Sequence, residues 1–134
     1  MKRHMNACIF VSLLFLCHCK DISATTTPEG AYRAFAVALR KGDTPKAYAA
    51  LSQATRKAVE ARSKALAAAS QGLIQDKPAL MIFQSGTRPM PVSEATVVEQ
   101  SDGMAVLEVA GTRVRMVREG DNRWAVDLAH LYLE

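Results

Sequence analysis

Apolar and polar positions divide the chain into three stretches of different period. Residues 7–17, ACIFVSLLFLC, form an unbroken run of apolar and small side chains behind Lys2, Arg3 and His4. From residue 28 to 70, apolar side chains recur every three or four positions, the spacing of one helix face. From residue 92 to 128 they alternate, as in strands with one covered face.

In the helical stretch, Thr27-Pro28-Glu29 is a strong start signal. It combines a hydroxyl cap, a proline where the missing N–H costs nothing, and an acid at the positive end of the helix. Tyr32, Phe35, Ala36 and Leu39 follow on one face, and Gly42 supplies the stop. The motif repeats at once, with Asp43 or Thr44 as cap, Pro45 at the first position, and Ala47, Tyr48 and Leu51 apolar. Ser52 opens a third, alanine-rich helix whose apolar side is expected to run through Ala58, Val59, Arg62, Leu66 and Ala69, ending at Gly72. Residues 78–83, PALMIF, are too short an apolar run for periodicity to choose between helix and strand.

Four strands are predicted at residues 92–100, 104–110, 112–119 and 123–128, separated by Ser101-Asp102-Gly103, Gly111 and Gly120-Asp121-Asn122. Connections this short make antiparallel hairpins, hence a meander. Its apolar face needs a cover, and the N-terminal helices are the available one. The expected architecture is α+β: three N-terminal helices packed on a curled antiparallel four-stranded meander, in a single domain over residues 25–134.

Composition supports a globular chain, with 49% hydrophobic and 22% charged residues among 134. The net charge of +4 shrinks to +2 from Thr25 onward, where 14 basic residues meet 12 acidic ones. That near-neutrality, with little aromatic content, argues against a nucleic-acid partner.

The first 24 residues read as an export leader: a basic start, an apolar block about eleven residues long, then polar sequence. A bilayer span takes roughly 20 apolar residues. Two processing routes are open. Cleavage after Ala24 would remove Cys8, Cys17 and Cys19. Alternatively, Cys19 becomes the lipidated N-terminus, since Leu16 stands three residues before it, although His18 precedes it where a lipobox has a small residue. Cys17 fits less well, with Leu16 directly before it. A Cys17-His18-Cys19 metal clip is not expected. Neighbouring side chains do not converge on one ion, and His130 is the only other Cys or His after the leader.

Residues 27–56, TPEGAYRAFAVALRKGDTPKAYAALSQATR, resemble the opening of small bacterial exported domains of the nuclear transport factor 2-like superfamily. Residues 114–128, VRMVREGDNRWAVDL, resemble the last hairpin of those domains. The resemblance implies a cone-shaped α+β fold. It covers ketosteroid isomerase-like and dehydratase-like enzymes with acid/base pairs in the cone, and also ligand-binding and protein-binding modules. No residue here matches such a pair, so no catalytic residue is carried over. The expected role is an exported, membrane-tethered, non-enzymatic binding or accessory domain of the cell envelope. It would hold a small apolar ligand in the cone or an envelope protein on the sheet face. The alternatives are an isomerase or dehydratase, or an assembly accessory acting as a homodimer.

Few side chains stand out as candidates. Tyr32, Phe35, Tyr48, Met116 and Trp124 lie on predicted apolar faces and would either line a pocket or fill the core. Arg113, Arg115, Arg118 and Arg123 would form a basic patch on the outer sheet face, with Glu108, Glu119 and Asp127 near enough to neutralise it. His130 could act as a base with Asp127 if the chain turns helical there. No P-loop, dinucleotide turn, nucleophile elbow or metal-ligand spacing is present, so neither a cofactor nor a metal is expected.

Overall fold

Thr27 caps the first helix as its sequence demands: its side chain accepts from the N–H of Gly30, and Pro28 takes the first helical position. The fold is that of a computed structural model, which describes residues 25–84, 94–120 and 122–133. Residues 1–24, where the leader and the lipidation site Cys19 are expected, lie outside the described residues. Helix α1 spans Pro28–Lys41 and ends at Gly42, whose φ of 68° is the left-handed conformation that glycine adopts without steric cost. Asp43 caps α2, Thr44–Ala49, which places Pro45 one residue deeper than expected. Ser52 caps α3, Gln53–Ala69, through the N–H of Thr55. The ambiguous PALMIF stretch is a helix, α4, Pro78–Gln84.

The α+β class and the antiparallel meander are present. Strands β1 Thr96–Ser101, β2 Met104–Val109, β3 Thr112–Glu119 and β4 Arg123–Asp127 lie in the order β1-β2-β3-β4, all antiparallel. A register shift between Val97 and Glu99 breaks the β1–β2 ladder. In β2 and β3 the sequence alternation becomes an alternation of burial. Ala105, Leu107, Val109, Val114 and Met116 are buried, while Val106, Glu108, Arg113 and Arg115 are not. The register places Leu107 beside Val114 and Met116 beside Ala105 and Val126, so one face is continuous core. Helix α1 packs on that sheet, against β4, β1 and β2.

Strand β4 departs from simple alternation: Trp124 through Ala129 are all buried. The cause lies at its outer edge. The N–H of Trp124 donates to Thr25 O at 2.9 Å and that of Val126 to Ala50 O at 3.0 Å, while Ser52 N–H donates to Val126 O at 2.8 Å. Leu51 thereby forms a parallel bridge to Val126. An edge that would otherwise offer free donors is closed by the α2–α3 junction.

The buried side of α3 also differs from expectation. It consists of Thr55, Ala58, Val59 and Ser63, whereas Arg62 and Ala69 are exposed. Two polar residues replace the expected apolar ones because each finds a hydrogen-bonding partner inside: Thr55 with Asp127, and Ser63 with Asp76 at 2.6 Å.

Candidate functional site

The five candidate pocket residues divide into core and surface. Phe35 and Met116 have no exposed area, Tyr32 has 1% and Trp124 5%. These four belong to the hydrophobic core, together with Leu51, Leu107 and Val126. Burial pushes the Tyr32 phenol above its usual pKa. Tyr48 packs at the core's edge, but its hydroxyl turns outward and donates to Glu60 Oε1 at 2.6 Å, tying α2 to α3. Burial, the hydrogen bond to Glu60 and that carboxylate's charge push the Tyr48 pKa up to about 12, against a smaller opposing effect of Arg56.

The four arginines do not make one patch. Arg115 pairs with Asp127, its register partner across β3 and β4, and Arg123 pairs with Glu119. Arg123 also donates to Ala49 O at 2.9 Å. Arg113 donates to Glu99 Oε1 at 3.1 Å, two strands away, rather than to the Glu108 beside it. Arg118 shares the side of β3 that carries Val114 and Met116, and its guanidinium lies 5.6 Å from the Trp124 ring centroid. Arg113, Arg115 and Arg123 thus each have a close acidic partner that offsets their charge.

Sequence reading missed the centre of the polar structure. Asp127 is 4% exposed, and its Oδ1 accepts from Ser52 Oγ at 3.1 Å, Thr55 Oγ1 at 3.1 Å and Ala129 N–H at 3.3 Å. Its Oδ2 takes the Arg115 ion pair. The two hydroxyls also lie 2.8 Å apart. Each hydroxyl has one proton, so two of the three links in this triangle carry a hydrogen at any moment. Thr55 Oγ1 further accepts the N–H of Leu128 at 2.8 Å. Burial pushes the Asp127 pKa up, but the Ala129 N–H, Arg115 and Ser52 outweigh it, leaving the carboxyl below its usual value. These contacts hold the carboxylate in place between α3, β3 and the turn that follows β4. His130 stands exposed on the short 3₁₀ turn Ala129–Leu131. The available signal for this centre was a spacing: a Ser-x-x-Thr cap in one half and an aspartate inside an apolar strand in the other.

Open apolar surface lies elsewhere. A half-open cavity of about 330 Å³ is lined by Ser63 and Leu66 of α3, by Leu73, Ile74, Gln75 and Lys77 of the connection, and by Leu80 and Met81 of α4. Leu73 is 90% exposed, and Ile74 and Leu80 are also exposed. A smaller hollow of about 230 Å³ lies over β1 and β2, at Glu99–Ser101, Met104 and Val106. Among the described residues no group of three or more His, Cys, Asp or Glu converges as a metal site, and no helix is long and apolar enough to cross a membrane.

The chain matches no protein-family model, no curated protein and no solved structure. Its functional reading therefore rests on its own residues.

Proposed function

We propose that this chain is an exported, membrane-tethered binding domain of the cell envelope that acts through its surface rather than through chemistry in an interior pocket. In this reading it is a nuclear transport factor 2-like domain, with the helices closing one side of a curled sheet. The observation that carries the reading is the filled interior. Tyr32, Phe35, Met116 and Trp124, the residues expected to line a pocket, belong to a single buried core cluster. The buried carboxylate beside that core, Asp127, is occupied by Ser52, Thr55, Ala129 and Arg115. Among the described residues, the groove against α4 offers apolar surface that a partner can reach from outside. The leader pattern supports export, and the polar stretch between Cys19 and the first helix suits a tether.

Intact mass spectrometry of the chain from membrane and soluble fractions of a native-like host tests the reading. A chain that begins at Cys19 and carries a diacylglyceryl mass is expected in the membrane fraction. A chain beginning at Thr25 would replace the tether by simple secretion, and an unprocessed chain in the cytosol would overturn export.

A further inference from the structure

We propose that the groove formed by α3, the connection over residues 70–77 and α4 binds a single-chain anionic amphiphile, with its hydrocarbon along Leu66, Leu73, Leu80 and Met81 and its acid head at Lys77. This deepens the reading of the chain as a surface-binding domain and depends on it.

Size and wall chemistry carry the inference together. At about 330 Å³ the cavity sits at the small end of the roughly 300–1,000 Å³ that small-molecule sites occupy. Its wall is mostly aliphatic, and several of those side chains stand in water in the free protein, Leu73 almost completely. An occupant that covers them is favoured in proportion to the apolar area it removes from water.

The charge on the wall selects the head group. Lys77 is the one ionisable side chain among the lining residues, and it makes no ion pair among the described residues. The nearest acid in sequence, Asp76, accepts the hydroxyl of Ser63 at 2.6 Å and holds the connection against α3. That bond also uses the proton of the buried lining hydroxyl, since Ser63 is 2% exposed. The wall thus offers an ammonium at Lys77 and an amide at Gln75 beside the apolar side chains of Leu66, Leu73, Ile74, Leu80 and Met81. A free carboxylic acid with one alkyl chain has the complementary arrangement, and a neutral chain leaves Lys77 unused.

Photolabelling tests this on the full chain as its host produces it, held in lipid nanodiscs if it is recovered from membranes. The probes are decanoic acid, decanol and a nanodisc phospholipid, each carrying a diazirine on its alkyl chain, with labelled sites mapped by peptide mass spectrometry. Decanoic acid is expected to label α3, the connection and α4, with decanol several-fold weaker. Lys77→Glu, on an exposed side chain, should reduce labelling by the acid roughly fivefold to tenfold and spare the alcohol, the scale of one exposed charge contact reversed. An unchanged near-ultraviolet signal from Trp124 would show that the variant is folded. Equal labelling by acid and alcohol overturns the assigned head group. An absence of label in the groove overturns the amphiphile and leaves surface binding by another partner intact. Labelling only by a diazirine phospholipid in the nanodisc overturns it in favour of the bilayer itself. Label on Phe35, Met116 or Trp124 overturns both this inference and the filled-interior reading beneath it.

Discussion

Thr55 and Asp127 meet as Oγ1 and Oδ1 at 3.1 Å, across 72 residues of chain. The contact joins the first turn of α3 to the end of the last strand, so the helical and stranded halves are fastened by a buried polar bond as well as by apolar packing. Ser52, one turn away, doubles it.

Asp127→Ala should cost about 3 kcal/mol in urea unfolding. It removes the acceptor for two buried hydroxyls and one side of a partly buried ion pair. Asp127→Asn keeps an oxygen for the hydroxyls and loses the charge, so about 1–2 kcal/mol is expected. Equal losses in the two variants would mean that the Arg115 pair carries the whole effect.

Acid sensitivity follows from the same carboxyl. Its pKa in the folded chain lies below the ordinary 3.8, so folding favours the charged form. The resulting stability is fully present above 3.8 and is lost as pH falls through the depressed folded value. The stability gap between the wild type and Asp127→Asn should therefore be constant near neutrality and narrow below that ordinary value. Urea midpoints measured down the acid limb check it.

Tyr48 acts at the other end of the pH scale. Its raised folded pKa means that the contribution of the Tyr48–Glu60 bond is complete below the ordinary value of 10.0 and is lost as pH rises through about 12. Alkaline titration of tyrosine absorbance should show a step near 12 that Tyr48→Phe removes. At neutral pH that variant should lose no more than about 1.5 kcal/mol, since it deletes a hydrogen bond near the surface and keeps the ring.

The β2–β3 turn contains a correctable strain. Ala110 and Gly111 form its two-residue loop, both at positive φ, with Ala110 at 48°. A left-handed alanine costs roughly 1–2 kcal/mol, and Asn-Gly is the preferred pair in such hairpin loops. Ala110→Asn should raise stability by about 1 kcal/mol, read as a shift of the thermal midpoint upward.

Local features were legible in the residues themselves. Thr27, Asp43 and Ser52 each cap the helix that follows, and Gly42, Gly103 and Gly111 mark stops and turns, because caps and turns are built within a few residues of chain. PALMIF was not legible, since six residues carry too little periodicity to separate a helix from a buried strand. The four arginines looked like a patch because alternation indicates a side of the sheet but does not reveal a partner. Arg113 reaches Glu99 through a register that only the assembled strands define. The α3 face was misjudged for a related reason: Thr55 and Ser63 count as polar until Asp127 and Asp76 arrive to satisfy them.

By itself, then, the order of residues determined the helix starts, the antiparallel meander and the side of it that carries Leu107, Val114 and Met116, through interactions that act over a turn or a hairpin. Tertiary structure alone decided that Leu51 closes the edge of β4, that Asp127 is buried and held by four partners, and that Leu73 and Leu80 flank an open groove. Those outcomes depend on pairs of groups brought together from distant parts of the chain. Whether a buried oxygen or an exposed leucine is tolerated depends on which group arrives beside it.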